Sequence, residues 1–134
     1  MEQKILMKSK SVERVAVLGA GSWGATLAVL LAEKGHDVSL WEFDAKAAAT
    51  LASMRRLSLL PELEVPTSIH VTNDLSQALG DRRIVVSATP SHTVRATMPS
   101  VKKTQALDPR ALLISVSKGL EEKTLKRMSQ VISE

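Results

Sequence analysis

The sequence feature that most constrains the fold is a glycine-rich turn, Gly19-Ala20-Gly21-Ser22-Trp23-Gly24. It follows the apolar, β-branched run at residues 14–18, which is typical of a parallel strand buried on both faces. It leads into residues 22–34, where small apolar residues recur at the spacing of a helix. Gly35 follows them and is suited to a left-handed helix cap. The pattern predicts a strand, a tight turn and a helix that lies close to the strand.

The rest of the chain alternates strand and helix patterns. We predict further strands at residues 37–42, 69–72, 83–88 and 111–116, and helices at residues 45–54, 75–79, 92–103 and 124–132. Asn73-Asp74 offers a helix N-cap, and the last helix is expected to place Leu125, Met128 and Ile132 on one face. Prolines exclude a regular helix or central strand from residues 55–66, so we predict a loop with one helical turn there.

Alternation at these short intervals predicts an α/β fold with a doubly wound, mostly parallel sheet of the Rossmann type. Right-handed crossovers then imply the strand order 3-2-1-4-5. The 134 residues suit a single domain spanning 1–134, in which residues 1–12 are expected to form a flexible N-terminal arm. Only 2% of the residues are aromatic, so aliphatic side chains must fill the core.

Composition also limits the partners and the compartment. The formal net charge is +4, but the basic residues are scattered, so we expect phosphorylated small ligands and no nucleic acid. There is no cysteine, which excludes disulfides and thiolate chemistry and fits a reducing cytoplasm. The break Ile5-Leu6-Met7 is too short for a signal peptide or a membrane span, so a soluble cytoplasmic protein is expected.

The spacing of the turn predicts a dinucleotide site. Gly19 permits the tight turn, Gly21 lets the backbone approach a pyrophosphate, and Gly24 lets the helix sit close to the strand. The helix N-terminus, with Ser22 and Trp23, would face the phosphates with the positive end of its dipole. The alternative is a purely structural turn.

Glu42 ends the second predicted strand at the spacing where an acid binds the adenosine ribose hydroxyls. Such an acid would repel a 2′-phosphate, so NAD is predicted as the cofactor, with NADP less favoured. The alternatives are a solvated carboxylate at Glu42, Asp44 in the same role, or Lys46 offsetting the charge.

The ends of the fourth and fifth strands supply a second cluster, because ligands of open sheets bind beyond the carboxyl ends of the strands. Pro90 would stiffen a wall beside the nicotinamide ribose, or simply turn the chain from strand to helix. Lys118 would extend into the cleft toward a phosphorylated or hydroxyl-bearing substrate, or else be solvated. His92 is expected at the surface or as a helix cap, and the alternative is a general base, although no carboxylate lies nearby in sequence. Its spacing to His36 and His70 predicts no metal site.

The two tryptophans flank the predicted cofactor. Trp23 stands inside the glycine turn and is hard to assign to a core. Trp41 ends the second strand, where core packing explains it equally well.

Several segments together resemble the N-terminal domain of NAD(P)-dependent glycerol-3-phosphate dehydrogenase, in register from about residue 14 to residue 134. The segments are Gly19-Ala20-Gly21-Ser22-Trp23-Gly24-Ala25-Thr26-Leu27-Ala28, Leu40-Trp41, Asn73-Asp74-Leu75, Pro90-Ser91-His92 and Ser117-Lys118-Gly119-Leu120-Glu121. The Ser-Trp-Gly turn and the Lys-Gly-Leu-Glu segment are more specific than the glycine spacing alone.

The resemblance implies interconversion of sn-glycerol 3-phosphate and dihydroxyacetone phosphate by hydride transfer, a step linked to glycerophospholipid synthesis, in an enzyme expected to be a homodimer at full length. It implies that Ser22, Trp23 and Phe43 contact the cofactor and that Lys118 lies where cofactor and substrate meet. NADP-adapted bacterial members often carry a basic residue after the second strand, where this chain has Glu42-Phe43-Asp44.

The family's helical C-terminal domain, with the lysine thought to act as general base, has no counterpart before Glu134. We therefore expect no catalytic base within these residues and little or no turnover by the 134-residue chain alone. Two alternatives remain open from the sequence: another Rossmann dehydrogenase, such as a ketopantoate-reductase-like or sugar-acid enzyme, and a non-catalytic NAD-binding module.

Overall fold

A parallel sheet of five strands organises the computed structural model, which describes residues 10–134. The predicted arm at residues 1–12 therefore lies mostly outside the described residues. The sheet contains β1 (Arg14–Leu18), β2 (Asp37–Trp41), β5 (His70–Thr72), β6 (Ile84–Ser87) and β7 (Leu112–Ser115). A separate two-stranded ribbon contains β3 (Arg56–Leu57) and β4 (Leu60–Glu64).

Helices cover both faces of the sheet, as a doubly wound fold requires. On one face, α1 (Ser22–Glu33) and α2 (Ala45–Met54) bury Ala25, Ala28 and Leu51 against the strands. On the other face lie α3 (Leu75–Leu79) and α4 (Ser91–Lys103), and α5 (Met128–Ser133) packs on α4. No helix within residues 10–134 is long and apolar enough to cross a membrane.

The strand order is β5-β2-β1-β6-β7, which is the predicted 3-2-1-4-5 when only the parallel strands are counted. β1 pairs with β2 on one side and with β6 on the other. The chain therefore changes direction across the sheet between β1 and β6, and the carboxyl ends of both strands open at one edge. Loops that are far apart in sequence meet at this edge.

Local signals set most of the element boundaries. The carboxylate of Asp74 accepts hydrogen bonds from the backbone N–H groups of Ser76 and Gln77, so the predicted cap of α3 is present. Gly35 follows α1 with φ of +90°, the left-handed conformation predicted for it. Outside two segments, predicted and observed boundaries agree within one residue.

Residues 55–66 are the first correction, because they form the β3–β4 hairpin instead of a loop with a helical turn. Arg55 ends α2 in the left-handed conformation, and its carbonyl then accepts from the N–H of Val65. Pro61 lies inside β4. A narrow ribbon with a free edge tolerates a residue that lacks an N–H, whereas the central sheet would not.

The last helix is the second correction, because it begins at Met128 and not at residue 124. Leu125 has φ of +56° and lies exposed, so it does not share the buried face of Met128. Residues 120–127 instead form a tight turn in which Glu121 N–H donates to the Lys126 carbonyl. These hydrogen bonds outweigh the helix propensity of the segment.

The turn between β1 and α1 leaves no room for a side chain at two of its glycines. A Cβ added to Gly24 would lie 1.9 Å from the Gly19 carbonyl oxygen, and one added to Gly19 would lie 2.9 Å from backbone atoms of Ala88 and Thr89. Gly19 also has φ of +109°. By contrast, a Cβ at Gly21 would meet nothing within 4 Å. Gly19 and Gly24 are thus required by packing, and Gly21 is not.

Alanine substitutions at Gly24 and Gly21 test which of the two positions has room for a side chain. Gly24→Ala should lower the free energy of unfolding by about 2 kcal/mol or more, because helix and strand must move apart. Gly21→Ala, as the matched control, should stay within about 0.5 kcal/mol of the parent chain. Urea denaturation followed by circular dichroism measures both, and equal losses would contradict this assignment.

Candidate functional site

A cleft of about 1100 Å³ opens at the carboxyl edge of the sheet, where the chain changes direction. The loops that follow β1, β2, β5, β6 and β7 line it. They bring together every candidate cofactor or substrate residue from the sequence: Gly19, Gly21, Ser22, Trp23, Gly24, Glu42, Phe43, Pro90 and Lys118. The sequence-based candidates therefore share one cavity.

The N-terminus of α1 points its free donors toward this cleft. The first helical hydrogen bond runs from Ala25 N–H to the Gly21 carbonyl, so the N–H groups of residues 22–24 have no acceptor within the helix. No acidic residue occupies the first turn, and no side chain caps it. With open space at Gly21, the arrangement suits a pyrophosphate approaching the backbone.

Glu42 lines the cleft, whereas Asp44 does not and instead caps α2. The Asp44 carboxylate accepts from Ala47 N–H at 2.7 Å and caps α2. Glu42 is half-buried, and its Oε1 accepts from Asp44 N–H at 3.1 Å. This hydrogen bond leaves the second carboxylate oxygen of Glu42 for a further donor.

The aromatic residues divide between core and cleft. Trp41 is only 4% exposed, packs in the core, and donates its indole N–H to the Asn73 carbonyl at 3.0 Å. Its edge still borders the cleft. Phe43 stands edge-on to Trp41, with ring centroids 6.2 Å apart, and is 80% exposed. Trp23 is 51% exposed, so it is not a core residue.

The opposite wall is held by hydrogen bonds between the loops after β6 and β7. The Ser117 hydroxyl donates to the Thr89 carbonyl at 2.6 Å. Pro90 is the N-cap of α4, and its carbonyl accepts from Thr93 N–H at 2.9 Å. Lys118 follows on the exposed rim, and no ion pair within residues 10–134 includes it.

The histidines stand apart from one another. His92 is exposed in the first turn of α4 and borders the cleft, in agreement with a surface position. His36 accepts from Glu13 N–H through Nδ1, and His70 is exposed on β5. No cluster suited to a metal ion occurs in the described part of the chain.

Sequence reasoning missed the contribution of α4 and of the loop after β5. Thr93, Ala96, Thr97 and Ser100 line the cleft from α4, and Asn73 lines it from the loop. Their spacing of three and four residues is the signal that would have found the helix residues, since small side chains on one helix face leave room for a ligand.

Sequence reasoning also missed a group of charges beside the cleft. Arg95 on α4 donates to both carboxylate oxygens of Glu121, at 2.6 and 2.9 Å, and to Glu134 at 2.8 Å. Lys126 also pairs with Glu134. The hydrogen bonds from Arg95 and then from Thr124 lower the pKa of Glu121 to about 2, and the carboxylates raise the pKa of Arg95.

This architecture defines a Rossmann-type α/β domain with a cleft at its switch point. Residues 14–134 match the family described as NAD-dependent glycerol-3-phosphate dehydrogenase N-terminus. The chain belongs to that family.

Individual relatives agree with this assignment. The chain is 40% identical over 124 residues to a glycerol-3-phosphate dehydrogenase (NAD(P)+) of Lysinibacillus sphaericus, covering 92% of this chain and 36% of that protein. It is 43% identical over 122 residues to the protein of the same name from Chlorobium phaeobacteroides, covering 90% and 36%. The chain thus spans about a third of the length of these relatives.

A solved structure supports the fold. The crystal structure of glycerol-3-phosphate dehydrogenase from Coxiella burnetii superposes with a TM-score of 0.82 over 91% of this chain and 37% of that chain. The sequence identity is 24%, so this likeness concerns the fold alone.

Titration should reveal the Arg95–Glu121 pair. Because the folded pKa of Glu121 lies near 2 and below its ordinary 4.5, the pair stabilises the fold above pH 4.5 and loses that effect as the pH falls through about 2. In carboxyl-carbon NMR, Glu121 should therefore not titrate between pH 6 and pH 3. In Arg95→Gln it should titrate inside that window.

Arg110→Gln is the matched control, because Arg110 pairs with Asp108 in an exposed turn away from the cleft. Glu121 should titrate in this variant as it does in the parent chain. A Glu121 midpoint above pH 4 in the parent chain would contradict the pairing.

Proposed function

We propose that the chain binds NAD in the cleft at the carboxyl edge of its sheet and forms the cofactor-holding part of a glycerol-3-phosphate dehydrogenase. The observation that carries the proposal is the meeting of three features in one cavity. They are the unpartnered N–H groups at the start of α1, the open space at Gly21, and the acid Glu42. Family membership supports the same cofactor class.

Each part of the cofactor has a matching surface. Gly19, Gly21 and Gly24 shape the turn, and the N–H groups of Ser22 and Trp23 would bind the pyrophosphate. Glu42 would accept from the ribose hydroxyls beside Phe43, and Pro90 would border the nicotinamide ribose. The domain assignment, one cofactor domain across residues 1–134, belongs to this proposal.

NAD is favoured over NADP on electrostatic grounds. The carboxylate of Glu42 would lie beside any 2′-phosphate, and like charges at short distance repel. Lys46 and Arg56 border a smaller cavity that also touches Glu42, so the charge there is partly offset. The relatives are named for both cofactors, which fits a preference and not an exclusion.

The proposed reaction interconverts sn-glycerol 3-phosphate and dihydroxyacetone phosphate, as the family resemblance implies, and the relatives are named for glycerol 3-phosphate. NAD bound in the cleft would supply a nicotinamide as the acceptor or donor of the hydride. Among residues 10–134, the titratable side chains that line the cleft are Glu42, His92 and Lys118. Among them Lys118 stands at the rim, where its ammonium would contact the cofactor and also bind the substrate's oxygens, holding the substrate against the cofactor.

The oligomeric state and the compartment are proposed from the resemblance and the composition. A homodimer is proposed for the enzyme at full length, and the cytoplasm as its compartment. The absence of cysteine from the sequence fits a reducing compartment.

Calorimetry with NADH tests cofactor binding. The chain should bind NADH, and Gly21→Ala should weaken binding by about tenfold or more, because the added methyl group stands where the pyrophosphate approaches. Since Gly21→Ala leaves the fold intact on the packing argument, unfolding measurements on the same sample serve as its control. No binding by the parent chain at millimolar NADH would overturn the proposal.

Comparing NADH with NADPH tests the role of Glu42. The parent chain should bind NADH more tightly than NADPH. Glu42→Gln should reduce the ratio of the two dissociation constants by about fivefold, because the carboxylate no longer repels the 2′-phosphate. Glu62→Gln is the control, since Glu62 is exposed on β4 and borders neither cavity. An unchanged preference in Glu42→Gln would remove Glu42 from the ribose site.

A further inference from the structure

The charged group around Arg95 has no place in the cofactor site described above, yet it adjoins the cleft. Arg95 lies on α4, which contributes the neighbouring Ala96 to the cleft wall. Its guanidinium holds Glu121 in a two-point hydrogen bond, and the Glu121 side chain is only 15% exposed. A bidentate pair of this kind fixes orientation as well as distance.

The partner, Glu121, organises the segment that carries Lys118. We call residues 117–127 the Lys118 loop. Glu121 N–H donates to the Lys126 carbonyl at 2.9 Å, and the Glu121 carbonyl accepts from Leu125 N–H at 2.7 Å. The Thr124 hydroxyl donates to the Glu121 carboxylate at 2.6 Å. Side chain and backbone of Glu121 are therefore the centre of the turn.

Lys118 stands only three residues before this anchor, and the segment between them contains Gly119 with φ of +92°. A Cβ at Gly119 would lie 4.0 Å from the Ser91 hydroxyl, so the loop passes close to the start of α4. Ser117 fixes the other end of the loop through its hydrogen bond to Thr89. Lys118 is thus held between two anchors, one at Ser117 and one at Glu121.

We propose that Arg95 is a positioning residue for Lys118: by binding Glu121 it orders the Lys118 loop, so that the lysine faces the cofactor cleft before any ligand arrives. This inference rests on the proposed function. Without the pair, ligand binding would have to order the loop, and part of the interaction would be lost to that ordering. Lysine at position 95 would keep the charge but not the two-point geometry.

Hydrogen exchange and calorimetry on the 134-residue chain test the proposal together. In Arg95→Gln the amides of Glu121 and Leu125 should exchange faster without cofactor, and NADH should bind about 2- to 10-fold more weakly. Arg95→Lys should fall between the parent chain and Arg95→Gln. Arg110→Gln, with the same chemical change at a remote ion pair, should match the parent chain in both measurements.

A double-mutant cycle separates positioning from a general loss of stability. In a Lys118→Met background, Arg95→Gln should cause no further loss of NADH affinity, because the side chain it positions is gone. A loss of the same size in both backgrounds would overturn the proposal. So would parent-like exchange and affinity in Arg95→Gln.

Failure of the proposed function gives a different result. If the parent chain binds no NADH, both the proposed function and the proposed contact of Lys118 with the cofactor are refuted. Faster exchange confined to the Lys118 loop in Arg95→Gln would still show that Arg95 orders this segment, and unchanged exchange would refute that as well.

Discussion

The close approach of α1 to β1 is the contact on which the rest of the structure depends. Gly24 leaves no room for a Cβ against the Gly19 carbonyl, so the helix starts directly above the end of the strand. That position aims the helix N-terminus at the switch point of the sheet and sets the cleft wall. A side chain at Gly24 would push the helix away and remove the anion-binding end from the cleft, and one at Gly19 would collide with the backbone of Ala88 and Thr89 after β6.

The parallel sheet then gathers residues that are distant in the chain. Trp23, Glu42, Pro90 and Lys118 each follow a different strand, and parallel strands present their carboxyl ends at one edge. Hydrogen bonds across this edge, such as that from Ser117 to Thr89, fix neighbouring loops to one another. The site is therefore a property of the sheet order, and each loop supplies only a part of it.

Most helices and strands were predictable from the sequence, and two segments were not. Buried strands and amphipathic helices with strong caps, such as α3 behind Asp74, were placed within one residue. The segments at residues 55–66 and 124–127 were predicted wrongly, because their conformations depend on partners elsewhere in the chain. Arg55 and Leu125 adopt the left-handed conformation, which the propensities of arginine and leucine do not predict.

By itself the sequence determined the order of the five parallel strands and of the helices between them. It also determined the glycines that the turn requires and the candidate residues at the strand ends. Tertiary structure decided which acid lines the cleft, since Asp44 is consumed in capping α2 while Glu42 keeps a free oxygen. It also decided that Arg95 and Glu121, 26 residues apart, form one ion pair. Periodicity reports how a residue relates to its own helix or strand, whereas contacts between distant segments exist only after the sheet has assembled.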